Sequence, residues 1–131
     1  MLFDLLPKQW QQALPASKEI LNSLQLTQPF IPEEKKIFAA FEVPIPRVKV
    51  CIVGQDPYPN PSHAMGLAFS VPAQVKNLPP TLKNIFKELE SDIGCAPSNG
   101  DLSELQKRGV MLLNTALTTK PNLSQGHVGI G

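Results

Sequence analysis

Apolar positions along this chain switch between short alternating runs and helical stripes. In Val48–Val53, Val48, Val50 and Ile52 alternate with Lys49 and Cys51 before the run closes apolar at Val53. A β-branched run of period two predicts a strand, and the apolar close predicts burial on both faces toward its end. Two further runs read as strands, Gly66–Val71 and Val110–Leu113. Elsewhere the period is helical. Pro7–Ala13 predicts a short helix with Pro7 in its first turn and Trp10 as a core aromatic. Ser17 is placed to cap a second helix through about Leu26, with Ile20, Leu21 and Leu24 at helical spacing. Ile37, Phe38, Ala40 and Phe41 predict a helix from Glu33, ended by Pro44 and Pro46. Leu82, Ile85, Phe86 and Leu89 stripe a longer helix, with Thr81 as candidate cap and Gly94 at its end. Asp101 is placed to cap Leu102–Arg108, and Gly109 to stop it. The tail from Lys120 is polar and glycine-rich and predicts no terminal element.

Strands alternating with helices predict an α/β fold of three layers: a central, mostly parallel short sheet with helices on both faces. Parallel strands carry Gly54-Gln55-Asp56 and Asn114 to the same edge of that sheet. An acid and an amide therefore converge from two strand ends, where open α/β sheets bind ligands. Three prolines, Pro57, Pro59 and Pro61, stiffen the loop that holds Asp56.

Composition narrows the class more than the function. At 131 residues the chain fits one domain, 1–131, and an apolar fraction of 42% with 18% charged residues is that of an ordinary globular protein. A net charge of +1 advertises neither nucleic acid nor membrane. No apolar run reaches the length of a membrane span, and Asp4 with no basic leader argues against a signal peptide. Cys51 and Cys95 are too few and too far apart for a structural zinc site, and Cys51 in a strand is expected to be a small buried hydrophobe. A reducing, cytoplasmic setting is the simplest expectation.

Taken singly, the candidate residues are ordinary. Asp56 in a proline-rich turn reads first as an acceptor of backbone N–H bonds. Tyr58 reads as packing, Phe69 as core, Asn114 as a turn former and His63 as a solvated loop histidine. Together they supply a carboxylate, two aromatics and an amide with both donor and acceptor. That kit suits a planar heterocycle, stacked on one face and paired along one edge.

Gly54-Gln-Asp-Pro-Tyr58, then Gly66-Leu-Ala-Phe-Ser70, then Leu112-Leu-Asn114 resemble the family 1 uracil-DNA glycosylases, from about Phe38 onward. The resemblance implies a four-stranded family sheet and hydrolysis of the uracil N-glycosidic bond without metal or other cofactor. It gives Asp56 the catalytic role, steering water and stabilising an oxocarbenium-like transition state. It gives Gln55 a backbone contact to the flipped base and makes Tyr58 a wall against the methyl group of thymine. Phe69 becomes a stacking platform and Asn114 the reader of the imide edge. Pro80 and Thr81 match a proline-rich loop that grips the DNA backbone. The implied partners are uracil-containing DNA, single- or double-stranded, and a DNA-mimicking protein inhibitor. The chain is expected to act as a monomer.

Two departures bear on the expectation. Pro59 stands where many members carry histidine, which predicts at most a change in phosphate or water contacts. The family's late His-Pro-Ser-Pro segment and leucine loop are not present; His63 and His127 precede Ala64 and Val128. The chain is therefore expected to be the N-terminal portion of a family member, without its last strand. Losing a stabiliser of the leaving group costs roughly two to three orders of magnitude in rate. A non-catalytic remnant that binds DNA or base is the alternative. A glycosylase of the iron–sulfur class is disfavoured, because two cysteines cannot supply a four-thiolate cluster.

Overall fold

Two strands organise the chain in a computed structural model that describes residues 1–26 and 28–129. Strand β1, Val50–Gly54, and strand β2, Val110–Asn114, pair in parallel with Val50 opposite Val110 and Gly54 opposite Asn114. The connection between them carries helices α3, Pro80–Ile93, and α4, Ser103–Lys107. Ahead of β1 lie α1, Lys8–Ala13, and α2, Ser17–Ser23, followed by short 3-10 turns. This is the α/β arrangement expected, with two strands among the described residues rather than three.

Gly66–Val71 is not a strand. Gly66 and Phe69 both take positive φ, 85° and 67°, which breaks the extended path twice in four residues. A side chain at Gly66 would run into the Lys36 carbonyl, so the turn needs glycine there. The segment instead folds over the end of the sheet, where the Ala68 N–H donates to the Leu112 carbonyl at 3.1 Å.

The expected double-sided burial belongs to β2, not β1. Met111 and Leu112 point to opposite faces and both are buried. They join Ala40, Leu67, Ala68, Val71, Leu82 of α3 and Leu102 in the main core. Burying a leucine this fully contributes about 1.5–3 kcal/mol. In β1, Val50, Ile52 and Val53 are 47%, 41% and 57% exposed, and Cys51 is exposed too. The reason is one-sided support, since β1 pairs with β2 alone among the described residues.

Helix ends differ locally from expectation. Ser17 lies inside α2 and its hydroxyl donates back to the Leu14 carbonyl, leaving Ala16 at the N-cap. Pro79 occupies the N-cap of α3 with Pro80 next, so Thr81 falls inside the first turn and caps nothing. Residues 33–42 form 3-10 turns, Glu34–Lys36 and Ala39–Glu42, rather than one helix. Their apolar residues are still used: Ile37 and Phe38 build a second core with Phe3 and Leu6. Trp10 packs edge-on against Phe41 and donates to the Val43 carbonyl, joining this core to the main one. Asp101 does serve the start of α4, accepting from the backbone N–H and hydroxyl of Ser103.

Among the described residues no helix or longer strand follows β2, but the segment after it is tied down by hydrogen bonds. The Ile31 N–H donates to the Thr119 carbonyl and the Thr119 N–H to the Ile31 carbonyl, each at 2.9 Å. Asn122 N–H reaches the Pro59 carbonyl at 2.6 Å, and His127 is buried. Residues 130 and 131 lie outside the described residues.

Candidate active site

The parallel pairing does not stop at the ends of the strands. Thr115 N–H donates to the Gly54 carbonyl at 3.0 Å, and Ala116 N–H to the Gln55 carbonyl at 2.9 Å. The Thr115 hydroxyl donates to that same Gln55 carbonyl. These bonds lock the start of the 55–59 loop onto the segment after Asn114. The Gln55 carbonyl is thereby taken, while its N–H has no backbone partner among the described residues.

A concave site of about 230 Å³ opens at this edge. Gln55, Asp56, Tyr58, Phe69, Thr81 and Asn114 all line it. Six of the seven residues singled out from the sequence are thus brought together. Pro80 is exposed and stands outside the lining.

Each side chain is placed by identifiable contacts. Asn114, half-buried at the end of β2, lies so close to Gly54 that a Cβ there would collide with its Oδ1. The Phe69 ring also approaches Gly54, with Cε2 at 3.5 Å from that Cβ position. Glycine at 54 is therefore a packing requirement, since it lets the amide and the ring close over the strand end. Phe69 is held in a left-handed backbone between the buried residues Ala68 and Ser70. Such a conformation costs an aromatic residue on the order of 1–3 kcal/mol.

Tyr58 is pinned at its hydroxyl, which lies 3.0 Å from the Phe69 carbonyl and 3.0 Å from Thr81 Oγ1. Burial pushes the phenol above its ordinary range, and the Thr81 bond pulls it partly back. His63 packs edge-on against the Tyr58 ring and is half-buried rather than fully solvated.

The Asp56 carboxylate is held from two sides. Gln55 Nε2 donates to Oδ1 at 3.2 Å, and the Gln125 backbone N–H donates to Oδ2 in a short bond. Gln125 was not legible as a site residue, nor was Ser124, which lines the cavity. The only sequence signal for that turn is its composition, Asn122 and Gly126 around Gln125. Gln125 itself sits at a φ of 60°. Among the described residues no three His, Cys, Asp or Glu side chains gather into a group that could hold a metal ion.

A cavity at the C-terminal ends of parallel strands, lined by a carboxylate, an amide and aromatic rings, defines an α/β protein with a binding site at its sheet edge. The chain belongs to the Uracil DNA glycosylase superfamily, whose family model matches residues 41–129. It is 42% identical over 139 residues to a uracil-DNA glycosylase of Mycobacterium sp. (strain KMS), covering 99% of this chain and 61% of that protein. It is 52% identical over 103 residues to the uracil-DNA glycosylase of Mycolicibacterium gilvum, covering 78% of this chain and 46% of that protein. The crystal structure of mimivirus uracil-DNA glycosylase superimposes with a TM-score of 0.82 at 31% identity, covering 99% of this chain and 54% of that one. A variant of that mimivirus protein in complex with UGI aligns similarly, with a TM-score of 0.81. This chain spans about half to three-fifths of the length of these relatives.

Proposed function

We propose that this chain carries the uracil-recognising portion of a DNA-repair hydrolase, a monofunctional glycosylase. That enzyme flips uracil out of DNA and cleaves its N-glycosidic bond, leaving an abasic site. The observation that carries the reading is the in-register pairing of Gly54 with Asn114. It sets Asp56, Tyr58, Phe69 and Asn114 around one cavity in a chain of this family.

In this mechanism the base leaves the stack, at a cost of a few kcal/mol, and enters the cavity. Phe69 stacks on its face. Asn114 pairs with the imide edge, accepting from N3–H and donating to a carbonyl, a pattern that cytosine does not complement. The free Gln55 N–H donates to a base oxygen. The Tyr58 ring occupies the space a thymine methyl group would need. As the glycosidic bond lengthens, positive charge grows on the sugar, and the Asp56 carboxylate, steadied by Gln125 and Gln55, stabilises it and orients the attacking water. Pro80 and Thr81 meet the DNA backbone at the rim.

The same reading makes 1–131 a portion of a single domain and the protein a cytoplasmic monomer that needs no cofactor. No described helix is long and apolar enough to cross a membrane. The mimivirus complex with UGI supports a protein inhibitor as an alternative occupant of this face.

The test is release of uracil from single- and double-stranded oligonucleotides by the chain and by Asp56→Asn. The amide keeps an acceptor for the Gln125 N–H, so the fold should hold, while loss of the charge should lower release by roughly two to three orders of magnitude. Release unaffected by Asp56→Asn would overturn the role given to the carboxylate. Binding of DNA with no release by either protein would favour the non-catalytic alternative.

A further inference from the structure

We infer that Thr81 is a positioning residue for the Tyr58 ring, its single hydroxyl proton holding the tyrosine in the free chain and turning to a phosphate oxygen when DNA binds. The inference rests on the function proposed above and joins two of its contacts into one coupled pair.

Proton counting carries the argument. Tyr58 Oη lies 3.0 Å from the Phe69 carbonyl and 3.0 Å from Thr81 Oγ1. A carbonyl only accepts, so the one phenol proton goes to Phe69. Thr81 must then be the donor to Tyr58 Oη. A threonine hydroxyl also has one proton, so none remains for a second acceptor. Phosphate oxygens are acceptors, and the Thr81–Tyr58 and Thr81–phosphate bonds therefore exclude each other.

The geometry favours the exchange. Thr81 is exposed in the first turn of the 14-residue helix α3. The free N–H groups and dipole of that turn attract an anion. A hydroxyl bond to a charged oxygen is roughly twice as strong as one to a neutral phenol. Phosphate engagement thus frees the outer anchor of the wall while its bond to Phe69 stays. By reciprocity, whatever strengthens the Thr81–Tyr58 bond weakens the phosphate contact by the same factor.

Tyr58 is the only tyrosine in the sequence, so its ionisation can be read directly from tyrosinate absorbance. The full chain is titrated as wild type, Thr81→Val and Thr81→Ser. A donated bond favours the phenolate, so Thr81→Val should titrate at higher pH than wild type and Thr81→Ser should match wild type. The titrations are repeated with single-stranded oligodeoxyadenylate, its binding followed separately by anisotropy of a labelled strand. Bound wild type should move upward by more than bound Thr81→Val, whose shift measures the phosphate charge alone. Wild type and Thr81→Val titrating alike in the free chain overturns the inference, as do equal shifts on bound DNA. A chain that binds no DNA overturns the handover together with the function it rests on. A free-chain shift in that case still identifies Thr81 as the anchor of Tyr58, which separates the two failures.

Discussion

Gly54 and Asn114 face each other across the last rung of the parallel pair, so closely that a methyl group on Gly54 would meet Asn114 Oδ1. The strand end and the Asn114 amide, proposed above to read the base, are thus one packed unit. Gly54→Ala should push Asn114 out of place and press on Ala68, whose Cβ lies 3.1 Å from the new methyl position. Overpacking of this kind costs about 1–3 kcal/mol, and a misplaced contact group can cost on the order of 100-fold in rate. Denaturant midpoints and kcat/KM for uracil release check both; an unchanged kcat/KM would show that Asn114 does not read the base.

Tyr58→Ala should open space for a methyl group and bring thymine release into view. Exclusion of one methyl group is worth roughly 10–200-fold in discrimination, and the uracil-to-thymine ratio should narrow by that order. Tyr58→Phe keeps the ring and should keep the exclusion, while losing both hydroxyl contacts. Side-by-side assays on uracil- and thymine-containing strands decide the matter: thymine release equally low in all three proteins would remove Tyr58 as the wall.

His127 makes the fold sensitive to acid. Its Nδ1 pairs with the Thr118 hydroxyl at 2.9 Å, and its buried Nε2 has no partner among the described residues. Burial, and then the charge of Lys120, hold its pKa below the usual 6.5. The unfolded chain therefore takes up a proton at a pH where the folded chain does not. The neutral-histidine contribution is fully present above about pH 6.5 and is lost as pH falls toward the lowered folded value. Urea midpoints should drop between about pH 7.5 and pH 5, and His127→Gln should flatten the part of that slope due to this residue. An identical slope in His127→Gln would assign the acid sensitivity elsewhere.

Strand β1 presents Val50, Ile52 and Val53 to solvent beside an edge that is unpaired among the described residues. Exposed apolar edges of this kind pair with other chains. Val53→Lys should reduce concentration-dependent light scattering while changing stability by no more than about 0.5 kcal/mol, since the side chain is already 57% exposed. A large loss of stability would mean that Val53 is covered in solution.

The part of the fold written in local pattern was legible. Alternation marks β1 and a short apolar run marks β2, and the expectation of parallel strands puts Asp56 and Asn114 at one edge. What the pattern could not carry was context. The run Gly66–Val71 has strand composition, yet Gly66 and Phe69 turn it over the sheet because Ala68 and Val71 are needed in the core. Val53 looks like a buried strand residue and is not, because burial depends on neighbours rather than on the strand's own sequence. At the site, the side chains were legible from residue type and order. The Gln125 contact was not, because a backbone N–H supplied from 69 residues away carries no mark in residue identity.

That contact also ties the Asp56 carboxylate to a part of the chain outside the sheet. Most of the cavity lining belongs to segments packed on β1, β2 and the main core. One hand on the Asp56 carboxylate belongs instead to a surface turn that closes back on Thr119 and Pro59. Such a turn can open without global unfolding, and amide exchange at Gln125 should report that opening well below the free energy of the core strands. When that turn opens, the Asp56 carboxylate loses the Gln125 N–H and keeps the Gln55 side-chain bond. The pocket can remain shaped for a base at moments when its carboxylate is not yet aimed.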